Sequence, residues 1–410
     1  MKADTSARGS RNALLVCCGA HIIQDGLVAV QYVFLPILAQ SLGLNYAQVG
    51  LLRALSNSAM SLLELPSGIL AERFGEKRLL MIGLLMAGVG YLCVSVSSSF
   101  GVIALCFLLT GAGAGFQHSL TSAILVKTFD ASGKRRALGT YNASGDAGKL
   151  GFTGLFSLGI GMGLAWNAVI VVLSLLALVF VLLVWRLLPA DKPDSPTRDR
   201  TPGNGGLASR WGIRHPKEFS LLALVVSLDS IVQSVLLTFL AFVFLEKGAS
   251  AQTASFAVVL ALIGGMTGKF FSGFMTARFG DYGPFVLIQV LTMVGLAGLV
   301  VLPVVPALFA LPFIGLVVQG STTVTYGVIS DHVDASMQSR GFGVIYSVSG
   351  LATVAGPFVF GWMADLSGLN SVLWVLCAIS GLCIPFAGFL KRDVRLASMK
   401  AAQDNEASSS

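Results

Sequence analysis

Charge is what this sequence has least of. Of its 410 residues, 11% are Asp, Glu, Lys or Arg and 55% are hydrophobic, with a mean hydropathy of +0.80. Water-soluble domains carry about a quarter charged residues, so there is too little polar surface here to dress a soluble particle. That deficit also leaves no soluble basic face to hold a nucleic acid, although the net charge is +7. Cysteine is sparse as well. Cys17, Cys18, Cys93, Cys106, Cys377 and Cys383 all lie inside apolar runs at no metal-binding spacing, and they read as small packing residues. No elbow serine and no paired catalytic carboxylates in an aqueous segment are visible. No phosphate loop is visible either: Gly111-x-Gly113 meets Phe116 at the third glycine position, and Gly264-Gly-Met-Thr-Gly268-Lys269 is followed by Phe270 rather than a hydroxyl residue. These absences argue against an enzyme, against a bound cofactor or metal, and against ATP hydrolysis as the driving force.

What is present is apolar length. Runs of roughly 20 or more residues recur along the chain, each able to cross about 30 Å of hydrocarbon as a helix, and they are continuous rather than alternating in the manner of a barrel strand. The first of them carries Gln24 and Asp25 and precedes no small-residue cleavage site, so it reads as a retained helix rather than a signal peptide. We read twelve spans, six on either side of a polar stretch rich in Pro, Asp, Arg and Gly. The expected domains are a tail at 1–12, a six-helix bundle at 13–188, a linker at 189–216, a second six-helix bundle at 217–390 and a tail at 391–410. Lys2, Arg8, Arg11, Arg73, Lys77, Arg78, Lys134, Arg135, Arg136, Lys391, Arg392, Arg395 and Lys400 all fall on one side of that arrangement, with Lys247 on the other. The bias predicts cytoplasmic termini and a cytoplasmic linker.

The chain repeats itself. Gly68-Ile-Leu-Ala-Glu72-Arg73-Phe-Gly75-Glu-Lys77-Arg78 returns as Gly273-Phe-Met-Thr-Ala277-Arg278-Phe-Gly280. Asp130-Ala-Ser132 returns as Asp334-Ala-Ser336, Arg136-x-x-Gly139 as Arg340-x-x-Gly343, and Asp25 as Asp229. Two halves running in the same direction predict an all-α membrane protein of twelve transmembrane helices in two parallel six-helix repeats around a central cavity. The charged turn reads as a conformational latch. Gly68 and Gly75 would admit close backbone approach, Glu72 and Arg73 would pair or release neighbouring helix ends, and Arg136, Gly273, Arg278 and Arg340 would belong to the same device. Gly111-Ala-Gly-Ala-Gly115 and Gly145, Gly148, Gly151 and Gly154 read as close-packing positions.

Ionisable groups inside apolar runs are costly and should face a cavity or a partner. Asp25, Asp146, Glu64 and Asp229 are the candidate proton carriers, with Asp25 first because His21 precedes it by one turn. Candidate cavity residues are His21, Tyr32, Arg53, Gln117, His118, Tyr141, Lys149, Gln233, Lys269 and Tyr346. Lys149 and Arg53 read as anion-attracting groups or counter-ions, and Lys269 occupies the place of Glu64 in the other half. Salt bridges that merely hold helices together are the alternative.

The ordered Gly68-x-x-x-Glu72-Arg73-x-Gly75-x-Lys77-Arg78 resembles the signature of the major facilitator superfamily over essentially the whole chain. That superfamily usually has Asp where Glu72 stands. His21-x-x-x-Asp25, Tyr32-x-x-x-Pro36 and Gly111-x-Gly113-x-x-x-x-His118 look like the fosmidomycin-resistance branch of bacterial exporters, with Ser119 where that branch has proline. The resemblance implies a proton-driven exporter of a small organic or drug-like molecule. It would work by alternating access, as a single polypeptide among lipids of the bacterial inner membrane. Other readings are a proton-coupled importer of a small organic anion bound through Arg53, Lys149 and Lys269, a metal exporter using His21 and Asp25, and a membrane sensor without transport.

Overall fold

A computed structural model describes residues 2–189, 213, 215–280, 282–329, 332–333, 338–385 and 388; within its helices the side chains of 2–8, 65, 131–132, 135, 326–327 and 338–343 are not described. The central linker, apart from its two ends, Ile213 and His215, and the tail beyond 390 lie outside the described residues, as do Asp281, Asp334 and Ser336.

The described residues form helices α1 (Lys2–Leu42), α2 (Tyr46–Phe74), α3 (Glu76–Val96), α4 (Phe100–Gly115), α5 (His118–Thr128), α6 (Ala131–Gly161) and α7 (Trp166–Leu187). They continue as α8 (Pro216–Glu246), α9 (Ala251–Phe279), α10 (Tyr282–Val301), α11 (Val304–Ile329), α12 (Gln338–Ser367) and α13 (Leu369–Pro385). The protein is all-α and multi-pass. Among the described residues, nine helical segments are long and apolar enough to cross a membrane, with α4 and α5 acting together over Phe100–Thr128. Helices α2, α6 and α13 are not in that set. The first two carry charged residues such as Arg53, Glu64, Asp146 and Lys149 in their interiors, which lowers their apolarity, and α13 is short.

The apolar run at 100–127, expected to cross as one helix, is broken rather than continuous. At Phe116 and Gln117 the chain leaves the helix and re-enters it at His118. Helix breaks at such depth are tolerated where protein or a polar cavity satisfies the freed backbone.

The residues group into two compact units, one of Met1–Asp199, Leu237–Val259 and Val354–Leu366, the other of Arg200–Leu236, Leu260–Thr353 and Ser367–Ser410. In the first unit the helices meet at glycines. A Cβ on Gly111 would collide with the Ser56 carbonyl, one on Gly148 with the Ile22 carbonyl, and one on Gly83 would lie 2.6 Å from the Gly113 carbonyl. These contacts seat α4 on α2 and α3, and α6 on α1. Gly151 and Gly154 differ from expectation, because a Cβ at either meets nothing within 4 Å. Neither is a point of close helix approach.

At the start of α2 every early backbone donor is capped. Asn45 and Gln48 form a reciprocal capping box, and the Asp365 carboxylate accepts from the N–H groups of Tyr46 (2.8 Å) and Ala47 (2.9 Å). The Tyr46 hydroxyl donates to Glu246 Oε1 at 2.6 Å. Asp365→Ala removes both acceptors from a helix N-terminus, where a negative charge is favourable. It is expected to lower stability by about 1 kcal/mol in a denaturant titration, with Asp365→Asn losing less.

In the second unit α9 and α11 meet in the same fashion. Gly264 abuts the Pro312 carbonyl, Gly268 the Leu316 carbonyl and Gly315 the Ala261 carbonyl. Gly315 and Ala261 are the repeat counterparts of Gly111 and Ser56. The duplication therefore extends to the packing.

Candidate functional site

The first unit holds a polar cluster built from three helices. His21 and Asp25 lie one turn apart on α1 with Nε2 and Oδ2 separated by 3.3 Å. From α5, His118 Nε2 lies 3.7 Å from Asp25 Oδ1. From α6, Lys149 Nζ lies 3.1 Å from Asp25 Oδ2 and 3.5 Å from Asp146 Oδ1. A Cβ at Gly145 would overlap the His21 ring, so only glycine lets α6 come this close to the pair.

The surroundings fix these groups. The His21 ring stacks on Tyr141 with centroids 4.1 Å apart, and its Nδ1 lies 2.8 Å from the Tyr141 carbonyl. The Tyr141 hydroxyl accepts from Gln117 Nε2 at 2.9 Å and lies 2.7 Å from Thr121 Oγ1 and 3.4 Å from His118 Nδ1. A carbonyl only accepts, so His21 Nδ1 carries a hydrogen. Its Nε2 then faces a carboxylate oxygen.

The donor atoms of His21, Asp25 and His118 fall within 4.8 Å of one another, a spacing that could in principle hold a metal ion. The residues around them fit one poorly. The Lys149 ammonium already occupies Asp25 and places a positive charge where a cation would sit.

A second polar network lies in the other unit. Asp229 on α8 accepts from Gln289 Nε2 of α10 (2.9 Å), from Gln233 Nε2 (2.8 Å) and from Ser321 Oγ of α11 (2.7 Å). Gln233 Nε2 also lies 3.0 Å from Thr322 Oγ1. Asp25 and Asp229 occupy matching positions in the repeat, yet one is held by a cation and the other by neutral donors. Sequence reasoning did not find Gln289, Ser321, Thr322 or Thr121, because one amide or hydroxyl in an apolar run is an ordinary packing residue until its partner is known.

A third network joins α1, α2 and α3 around Arg53. The guanidinium binds Gln31 Oε1 and donates to the Tyr32 hydroxyl at 2.9 Å. It also stands 4.4 Å from the Tyr32 ring centroid.

The remaining expected residues are placed as follows. Glu64 and Lys269 are partly buried on α2 and α9, and Tyr346 on α12 is 49% exposed. In the charged turn, Gly75 adopts φ 88° and its N–H closes α2 onto the Ala71 carbonyl. Gly280 repeats this with φ 75°. Both positions demand the left-handed region that glycine supplies. Gly68 is exposed and a Cβ there meets nothing, so it is no close-approach point. Gly273 makes only ordinary contact with Thr323. Glu72 and Arg73 are exposed and form no ion pair with each other; Arg78, Arg136 and Arg278 are exposed too. The contacts run through the next two residues: Lys77 donates to the Trp185 (2.7 Å) and Leu188 (2.5 Å) carbonyls at the end of α7, and Glu76 pairs with Lys127 at 2.7 Å. The Arg340 side chain falls outside the described residues.

Comparison with known proteins gives one consistent result. A family model described as Major Facilitator Superfamily matches residues 17–228 and 220–408. The 3-(3-hydroxy-phenyl)propionate transporter of Escherichia coli (strain K12) is 23% identical over 358 residues, spanning 85% of each chain. The multidrug resistance protein MdtL of Klebsiella pneumoniae (strain 342) is 25% identical over 360 residues, spanning 84% of this chain and 87% of that one. Among solved structures, a bacterial homolog of the human lysosomal transporter Spinster, inward-facing and occupied, superposes with a TM-score of 0.77. It has 16% identity and covers 92% of this chain and 96% of its own.

Proposed function

The chain belongs to the major facilitator superfamily, and on that premise we propose that it exports a small organic or drug-like molecule in exchange for protons. As a member it is a secondary transporter of small molecules and not an enzyme. The proposal adds twelve spans with cytoplasmic termini in a bacterial inner membrane, action as a single polypeptide, and kinship with the fosmidomycin-resistance exporters through His21-x-x-x-Asp25 and Gly111-x-Gly113-x-x-x-x-His118. The charged turn is the latch of that cycle, with Lys77 and Glu76 making its bonds in this state.

One observation supports the proton coupling: Asp25 Oδ2 lies against both His21 Nε2 and Lys149 Nζ, and that lysine has two carboxylates to choose from. When Asp25 takes a proton, its bond to Lys149 weakens and Lys149 moves toward Asp146. When Asp25 gives it up, Lys149 returns. The proton and the ion pair thus exchange places on one carboxylate, and each arrangement favours a different packing of α1 against α6. Asp229, held by neutral donors, is the second candidate carrier.

Uptake of an organic anion with a proton is the competing reading; the Escherichia coli relative is named as a transporter of an organic anion, 3-(3-hydroxy-phenyl)propionate. Proteoliposomes with an internal pH dye separate the two. Using a panel of ethidium, benzoate and 3-phenylpropionate, exchange moves protons against the cargo and symport moves them with it. Asp25→Asn is expected to retain cargo binding while abolishing the proton signal, because an asparagine amide can satisfy His21 Nε2 in one fixed state. Cargo movement in the wild type with no proton signal rejects proton coupling.

A further inference from the structure

We infer that Arg53 is the anchor for the cargo's negative charge, and that the cargo class is a small aryl or alkyl carboxylate whose oxygens bind the guanidinium edge beside Gln31. This rests on the transporter reading and deepens it by naming what the site recognises.

Arg53 lies about 10 Å along α2 from its start and is 1% exposed. Its guanidinium carries a positive charge. A charge taken out of water needs a counter-charge, and Arg53 makes no ion pair among the described residues. Its acceptors are neutral: Gln31 Oε1, the Tyr32 hydroxyl and, at 3.4 Å, the Val28 carbonyl. Its Nε is buried without any partner. Lys149, the cation of the neighbouring cluster in the same unit, has two carboxylates. Arg53 has none.

The site is built rather than incidental. Gln31 is held by donation from its Nε2 to Tyr91 Oη (2.9 Å) and Ser56 Oγ (3.2 Å), and Tyr91 in turn donates to the Leu27 carbonyl at 2.5 Å. This scaffold presents the amide oxygen to the guanidinium as a neutral stand-in for a carboxylate oxygen. A carboxylate matches the guanidinium with two parallel bonds, here through the unpartnered Nε and the adjacent Nη2 that now donates to Tyr32. Of the residues around the guanidinium, Tyr32 is partly buried while Gln31, Ser56 and Tyr91 are buried, so Tyr32 is the side of the site nearest solvent and the aromatic available to an aryl group. If Arg53 only tied α1 to α2, ligand charge would not matter to binding.

The test compares 3-phenylpropionate with 3-phenylpropionamide, equal in shape and different in charge, as ligands of the purified full chain in detergent. Titration calorimetry reads both. Wild type is expected to prefer the acid by at least about tenfold, the gain of a charge-assisted pair. Arg53→Gln should lower acid affinity by that factor and amide affinity by clearly less, so that the preference for the acid is lost, and Arg53→Lys should fall between. Should Arg53→Gln fail to give monodisperse protein, Arg53→Lys must still reduce the preference. Equal binding of acid and amide by wild type overturns the inference. So does a preference that survives at Arg53→Gln, an acid that fails to bind at about 10 mM, or phenylphosphonate binding where the carboxylate does not. These readouts are independent of proton flux: loss of the proton signal with Arg53-dependent binding retained would reject the exchange reading alone.

Discussion

Lys149→Met is expected to abolish cargo-coupled proton movement and to destabilise the protein by about 1–3 kcal/mol. The reasoning starts from Asp25, whose Oδ2 receives Lys149 at 3.1 Å and His21 at 3.3 Å. Removing the ammonium leaves a largely buried carboxylate with two histidines. Breaking such a pair in a dry site costs about 3–5 kcal/mol, and the figure is reduced here because the Lys149 side chain keeps 34% of its surface in contact with solvent. The double variant Lys149→Met with Asp25→Asn removes the stranded charge, so it should recover most of the stability and none of the proton movement. That split is the informative result. A coupling energy of about 1–3 kcal/mol in the cycle of single and double variants, read by thermal unfolding in detergent, shows that the two side chains act as a pair. Additive effects would mean that Lys149 contributes to the fold alone.

Part of this site was legible in the sequence. Asp25 with His21, and Asp146 with Lys149, announce themselves because ionisable residues in apolar runs at spacings of three and four must share a helix face. The pairing of Asp25 with Lys149 did not announce itself. It depends on how α1 lies on α6, which Gly145 and Gly148 decide through contacts with His21 and with the Ile22 backbone. For the same reason glycine spacing overstated the packing at Gly68, Gly151 and Gly154, since a glycine in an apolar run looks alike whether it faces a neighbour or open space. The break at Gln117 was hidden because no proline or charge marks it. The cations of α2 and α6 were visible, yet whether each had a counter-ion was not. Arg53 and Lys149 read alike in one dimension, and only side-chain placement shows that one is paired and the other is not.

The repeat gives the sharpest stability test. Gly111→Ala and Gly315→Ala should each destabilise by about 1–2 kcal/mol, whereas Gly151→Ala should be neutral or stabilising by up to about 1 kcal/mol. Alanine is the better helix former, so in the absence of contacts the substitution gains that amount. At Gly151 nothing lies within 4 Å of the new methyl group, and the propensity term acts alone. At Gly111 the methyl would collide with the Ser56 carbonyl, and at Gly315 with the Ala261 carbonyl. A backbone oxygen cannot rotate away as a side chain can, so the helices must separate, at an overpacking cost of about 1–3 kcal/mol or more that exceeds the propensity gain. The two collisions occur at corresponding positions of the repeat, one where α4 crosses α2 and the other where α11 crosses α9. Similar losses in thermal unfolding would show that both halves hold the same crossing by the same means. A loss at Gly111 with none at Gly315 would mean that the second half has relaxed its copy of the crossing while keeping the glycine.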